Sequence, residues 1–436
     1  MLLNRFAART TTTATPLGNS AARARNLSSS SVLRDLAALR QNKPDDVVIT
    51  YAKRTALTRA KKGAFRDTSS DSLLYELLKR GMEESGVDKK IVGDIIAGTC
   101  HPPSPAYELR ASSLAAGFPE TTPVQAINRL CSSGLMAIRH ISDSVARGDL
   151  EVGVAVGYES MSSHPRPTPH FGSQAVQSHA PSVDCAKPMG WTSEMLALEY
   201  SISREKQDEY GLLSHNRASA AQQAGKFDGE IIKVSTSVLV DPKDPNSERT
   251  NVLADKDDGI RHGQTLEKMR AGKPAFKDYG DARSTGANSS QVTDGGAMVI
   301  MMPRWKADEL GLEVLAKHVA TSFVGVAPRV MGIGPVVAIP KALERAGIKQ
   351  DDVDLWEINE AFGSMYAYCV ETLGLDIEKV NVNGGAIALG HPLGCTGVRQ
   401  VVTGLAELKR RGGEGQVLCT SMCVGAGMGA AGIFVT

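Results

Sequence analysis

The sequence predicts an α/β protein built from two similar halves, with a long insertion in the first. Three observations predict it. From Asp45 onward, short β-branched runs alternate with longer amphipathic ones, as in parallel α/β architectures. The same strand, helix, strand order returns near the C-terminus: Gly86 and Gly134 of the first half correspond to Gly347 and Gly397 of the second. Between the halves, residues 161–291 have a different texture, rich in histidine, proline and polar runs. At 436 residues the chain has room for two or three domains of roughly 100–200 residues each. With 42% hydrophobic and 22% charged residues, it is too apolar for a disordered chain.

Residues 1–34 hold Arg5, Arg9, Arg23, Arg25 and Arg34 and no acid; Asp35 is the first. An Arg- and Ser-rich, acid-free segment without an apolar centre reads as an organellar transit segment, with the mitochondrion as the expected compartment. The ending Phe434-Val435-Thr436 is not of the Ser-Lys-Leu type. Residues 45–160 form the expected N-terminal half, completed by 292–312 after the insertion 161–291, and residues 313–436 form the C-terminal half. Within the first half, Val47-Val48-Ile49 predicts a strand and 72–84 a helix with Leu73, Leu74, Leu77 and Leu78 on one face. Residues 91–97 predict a further strand. Residues 123–128 run extended toward Cys131, a helix follows, and 152–156 is a buried strand. The insertion carries a helical run over 204–224 and is expected to cover a substrate.

Lys+Arg 49 against Asp+Glu 48 gives a formal charge of +1, so no global field draws nucleic acid or anionic membrane, and 5% aromatics offer few stacking platforms for bases. No apolar run approaches the ~18 residues of a membrane span. Seven cysteines spread over the chain suit reduced thiols better than paired bridges.

The residues with chemistry lie at strand ends. Cys131, in Asn128-Arg129-Leu130-Cys131-Ser132-Ser133-Gly134, sits at a predicted helix N-terminus, where partial positive charge and free N–H groups favour thiolate and lower its pKa. A small buried side chain at a tight junction fits that position too. His391 lies in a glycine-rich turn, Gly390-His391-Pro392-Leu393-Gly394, and is either a local hydrogen-bonder or a base for Cys131. Cys423 lies just after a predicted strand over 416–420, and Gly425, Gly427 and Gly429 follow it; their N–H groups suit a developing oxyanion. So close to the end of the sequence they leave no room for a dinucleotide-binding unit. Asn359-Glu360-Ala361-Phe362 follows an apolar strand and reads as a helix cap or as ligand groups at a strand end. The spacings of His391, Cys395, Cys419 and Cys423 do not make paired zinc-ligand sets, so no metal is expected.

Taken together, four blocks in order, Asn128 to Gly134, Asn359 to Phe362, Gly390 to Gly397 and Cys423 to Gly429, resemble the thiolase family and within it the 3-ketoacyl-CoA thiolases. The resemblance runs from about Asp45 to Thr436, and at Lys187-Pro188-Met189-Gly190 and Ser203-Arg204-Glu205-Lys206-Gln207 it is to peroxisomal-type members, which implies the peroxisome as the alternative compartment. It implies two fused βαβαβαββ halves in a layered αβαβα arrangement with an inserted loop domain, and a homodimer or tetramer. It implies thiolysis of 3-ketoacyl-CoA by CoA in fatty acid β-oxidation, with CoA as a substrate and no cofactor. Residue by residue, it implies Cys131 as acyl-accepting nucleophile, His391 as its activator, Cys423 as acid/base at C2, and Asn359 as holder of an oxyanion-site water. The N–H groups of Cys131 and Gly425 would form a second oxyanion site, and Met189, Phe276 and Ser290 would line the pantetheine and acyl path. Two departures stand out. Gly425-Ala426-Gly427 replaces three glycines, and Pro188-Met189-Gly190 replaces the His-Met-Gly of many acetoacetyl-specific members, which favours longer substrates. The alternatives are a biosynthetic acetoacetyl-CoA thiolase, a ketoacyl synthase, which would lack Cys423 and the Asn359 block, and a non-catalytic acyl-CoA or lipid carrier.

Overall fold

The computed structural model describes residues 36–436; the expected transit segment 1–34 lies outside the described residues. The strands, in chain order, are β1 Val47–Thr55, β2 Thr58–Arg59, β3 Asp94–Gly98, β4 Val124–Ile127, β5 Gly153–Ser160, β6 Ile231–Ile232, β7 Val234–Leu239, β8 Arg249–Ala254, β9 Thr293–Pro303, β10 Ala316–Gly325, β11 Leu355–Ile358, β12 Val417–Val424 and β13 Met428–Val435. One 11-stranded sheet runs β11-β12-β13-β10-β1-β9-β5-β3-β4, and β7-β8 form a separate hairpin in the insertion.

The sheet reads as one pattern written twice. In the first half β3 pairs β4 and β5 in parallel, β5 pairs β9 antiparallel, and β9 pairs β1 antiparallel. In the second half β11 pairs β12 in parallel, β12 pairs β13 antiparallel, and β13 pairs β10 antiparallel. The counterpart of β4 is reduced to one parallel bridge, Trp356 to Val380. The halves meet where β1 pairs β10 antiparallel, Val48 opposite Lys317. The whole insertion occupies the place that a tight hairpin, 425–427, takes in the second half, since both connect the fourth strand of the pattern to the fifth.

Helices complete the layers. Ser133–Ala146 and Thr396–Arg411 lie between the two half-sheets; Leu135, Ile138 and Ile141 of one share a core with Val398, Val401 and Val402 of the other and with Ile96, Val299 and Leu418. Each of those buried side chains contributes about 1.5–3 kcal/mol. The outer face of the first half packs on Ser70–Ser85 through Leu73, Leu74, Leu77 and Leu78, and that of the second on Gly334–Ala346 through Ala338, Ile339 and Leu343. The landmark glycines do equivalent work. Gly86 and Gly347 end their helices at φ 68° and 72°, a left-handed conformation that glycine adopts without strain. Gly134 and Gly397 let the central helices cross closely: a Cβ on Gly134 would lie 2.6 Å from the Gly394 oxygen, and one on Gly397 2.3 Å from the Leu135 nitrogen.

Local boundaries depart from the sequence reading in two places: the strand expected over 416–420 runs on to Val424 as β12, which puts Cys423 inside it rather than after it. The strand expected over 91–97 starts only at Asp94, because Lys89–Ile91 close a 3-10 turn capped by the Asp88 side chain. Among the described residues no helix is long and apolar enough to cross a membrane.

Candidate active site

Cys131 sits between β4 and the Ser133–Ala146 helix, on a connection that is tightly specified. Leu130 is held at φ 47°, costly for a residue with a side chain. Its N–H donates to Asn128 Oδ1 at 2.8 Å, and its carbonyl accepts the Ser133 hydroxyl at 2.6 Å. This bend leaves Cys131 half-buried at the helix start. Two backbone N–H groups, its own and that of Gly425, lie near its sulfur and favour the thiolate. Despite these donors, desolvation dominates and pushes the thiol up to about 11, opposed by the two N–H groups and reinforced by the nearby Glu159 carboxylate. The lowered pKa expected from the helix N-terminus is therefore corrected: one helix end does not offset removal from water beside a carboxylate.

Glu159, on β5, is wholly buried and binds both halves together. It accepts the Thr99 hydroxyl at 3.3 Å and the N–H groups of Cys100 at 3.0 Å and His101 at 2.9 Å from its own half, and of Gly394 at 3.0 Å from the other. This fixes the His391 loop against the Cys131 helix.

His391 follows Gly390, whose φ of 110° and whose missing Cβ, which would lie 2.2 Å from Thr293 Oγ1, exclude any other residue without distortion. The imidazole is buried. Its Nδ1 is 2.6 Å from Thr396 Oγ1 and its Nε2 3.3 Å from Asn359 Nδ2. An amide N–H facing Nε2 assigns the proton to Nδ1 and the lone pair to Nε2. Burial, then the Arg399 guanidinium, lower its pKa to about 3, so the ring is neutral at physiological pH.

Asn359 extends β11, its N–H donating to the Ser421 carbonyl of β12 at 2.8 Å. Its Oδ1 is buried with no protein partner. Glu360 beside it accepts from Ser214 Oγ, Asn381 Nδ2 at 2.8 Å and the Ile387 N–H at 3.1 Å, and so joins this block to the insertion and to the His391 turn. Cys423, the last residue but one of β12, lies in an apolar cluster with Leu196, Phe362, Met365 and Cys369. Burial, then the Cys131 and Cys369 thiols, push its pKa well above the ordinary thiol range.

The structure thus brings Cys131, Cys423 and Gly425 together around one sulfur, and His391 and Asn359 into direct contact. Met189 and Phe276 pack on the Cys423 cluster, with the Phe276 ring edge-on to Phe362 at 6.1 Å. Ser290 borders it through its N–H to the Ala361 carbonyl at 3.0 Å. Sequence reasoning missed Glu159, Thr396 and Gln400. Gln400 Nε2 donates to the carbonyls of Glu357 at 2.9 Å and Ser421 at 3.1 Å, tying together the strands that carry Asn359 and Cys423. Thr396 and Gln400 are four residues apart on one helix, so they share a face, a signal that follows once His391 is singled out.

The chain matches the family model for the thiolase N-terminal domain over residues 47–305 and that for the thiolase C-terminal domain over 312–436. It is 47% identical over 406 residues to the peroxisomal 3-ketoacyl-CoA thiolase of Yarrowia lipolytica, covering 92% of this chain and 96% of the relative. It is 44% identical over 419 residues to the peroxisomal 3-ketoacyl-CoA thiolase B of Rattus norvegicus, covering 96% and 97%. Its fold matches the crystal structure of the dimeric peroxisomal thiolase of Saccharomyces cerevisiae with a TM-score of 0.84 at 40% identity, covering 92% of this chain and all of that one. Human mitochondrial 3-ketoacyl-CoA thiolase is also similar, with a TM-score of 0.78 at 34% identity over 90% of this chain and 98% of the other. With two family models spanning both halves and relatives this similar over nearly the whole length, the chain belongs to the thiolase family.

Proposed function

We propose that this chain is a 3-ketoacyl-CoA thiolase, an acyltransferase that cleaves 3-ketoacyl-CoA with CoA into acetyl-CoA and a shortened acyl-CoA in fatty acid β-oxidation. The observation that carries the reading is the convergence on the Cys131 sulfur of two backbone N–H groups, with Cys423 beside it.

The residues divide the work as follows. The Cys131 thiol passes its proton to His391 Nε2 as sulfur attacks the C3 ketone; the long 3.3 Å contact to Asn359 gives way readily. The N–H groups of Cys131 and Gly425 stabilise the resulting C3 oxyanion. As the C2–C3 bond breaks, negative charge moves to C2 and the thioester oxygen. Asn359 holds a water through its unpartnered Oδ1, and that water with His391 supports the oxygen. Cys423 gives its proton to C2, releasing acetyl-CoA. The thiol of incoming CoA reprotonates Cys423, its thiolate attacks the acyl group on Cys131, and Cys131 leaves and recovers its proton from His391. Met189, Phe276 and Ser290 line the path of the acyl-pantetheine chain. No step calls for a metal or redox cofactor.

The peroxisomal names of the relatives at 44–47% identity support the peroxisome, the alternative compartment, over the mitochondrion. A homodimer is supported by the dimeric structural relative. The test is CoA-dependent loss of the enolate absorbance of 3-ketoacyl-CoA across chain lengths. Turnover of longer substrates above acetoacetyl-CoA is expected; no CoA-dependent loss at any length overturns the reading.

A further inference from the structure

We propose that Met365 is a positioning residue for Cys423, its thioether sulfur holding the Cys423 thiol proton in the orientation from which it is delivered to C2. The proposal rests on the thiolase reading above. The Cys423 Sγ–H donates to Met365 Sδ at 3.7 Å, and both residues are 1% exposed, so solvent does not compete for this proton. A buried thiol proton with several neighbours needs one defined acceptor if it is to point one way. The other nearby thiol does not compete, because Cys369 donates to the Gly332 carbonyl at 3.4 Å. Met365 is itself held in place. A Cβ on Gly332 would lie 2.8 Å from the Met365 Cβ and 2.5 Å from Leu196 Cδ1, so only glycine lets this side chain reach the cluster. Met365 and Cys369 are four positions apart on the helix Gly363–Leu373, which puts both on one face.

A thioether suits the task because it is a weak acceptor. It orients the S–H without stabilising it so strongly that transfer to a carbanion becomes unfavourable. In the thiolysis direction the bond that breaks is Cys423 S–H and the bond that forms is C2–H of acetyl-CoA. The thiolate left on Cys423 is reprotonated by the CoA thiol, and Met365 is unchanged throughout.

Two exchange reactions separate this role from packing. Exchange of labelled CoA into acetyl-CoA uses acylation of Cys131; exchange of the C2 protons of acetyl-CoA with deuterated water uses Cys423. Met365→Leu keeps the volume and removes the acceptor, and is expected to slow C2 exchange about tenfold while CoA exchange changes less than twofold. Met365→Gln restores an acceptor and is expected to recover part of the C2 exchange. Equal losses in both exchanges, no loss in either, or a Gln variant as slow in C2 exchange as the Leu variant overturns the proposal. If the Leu variant does not fold, the Gln variant decides alone: C2 exchange within threefold of the unmodified chain, with CoA exchange kept, supports the role, and any other result overturns it. Absence of both exchanges in the unmodified chain overturns the thiolase reading itself.

Discussion

The Nε2 of His391 lies 3.3 Å from the Nδ2 of Asn359, joining the end of β11 to the turn after the short helix Ala386–Leu389. On the ring's other side Nδ1 donates to Thr396 Oγ1 at 2.6 Å. These contacts fix one tautomer, with the lone pair on the nitrogen that faces the reaction. Thr396→Val removes the Nδ1 acceptor while keeping the shape. A neutral hydrogen bond of about 1–1.5 kcal/mol corresponds to a loss of about tenfold in kcat for thiolysis, with KM little changed. An unchanged kcat would dissociate Thr396 from the reaction.

The resting site holds a protonated thiol and a neutral imidazole, since burial pushes Cys131 up to about 11 and brings His391 down to about 3. The sign follows directly. The thiolate fraction of Cys131 grows about tenfold per pH unit throughout the range below 11, and His391 has no titration near neutrality to interrupt it. Iodoacetamide inactivation measured from pH 6 to 10 is expected to accelerate continuously. A rate that levels off between pH 6 and 8 would mean a preformed thiolate–imidazolium pair instead.

Cys423→Ala removes the proposed C2 acid but leaves the backbone N–H groups of Cys131 and Gly425 beside the Cys131 sulfur. Exchange of C2 protons on acetyl-CoA and overall thiolysis are expected to fall at least 100-fold, the lower range for general acid–base catalysis. Undiminished proton exchange would remove Cys423 from its role.

Ala426 occupies φ 60° in the turn between β12 and β13, where the family pattern has glycine. The left-handed conformation costs a residue with a Cβ about 1–2 kcal/mol. Ala426→Gly is therefore expected to raise unfolding stability by up to about 1 kcal/mol, part of the relief being lost to the greater freedom of the unfolded chain. Denaturant unfolding checks this; a clear loss of stability would show that the methyl group is held by packing.

Much of the architecture was readable because it is carried by local patterns. Leucines 73, 74, 77 and 78 fall on one helical face, and Gly86 and Gly347 mark equivalent helix ends. Strand boundaries were less so: the Asp88 cap that delays β3 to Asp94 is a side-chain hydrogen bond with no periodic signature. At the site, the reactive residue types stood out at strand ends, but their protonation did not. The helix N-terminus beside Cys131 is visible in the sequence; the burial and the Glu159 carboxylate that outweigh it come from another strand and from the packing of the two halves. Glu159 itself, with partners from 99–101 and 394, has no sequence pattern that reveals them.

The central claim is a covalent acyl group on one sulfur. Intact-protein and peptide mass spectrometry after brief mixing with 3-ketoacyl-CoA, quenched in acid before excess CoA is added, measures it directly. The account predicts a mass increase equal to the shortened acyl group, located on the peptide bearing Cys131 and lost when CoA is supplied. An acyl group on any other residue, or turnover of substrate by Cys131→Ser at a rate near that of the unmodified chain, would contradict it.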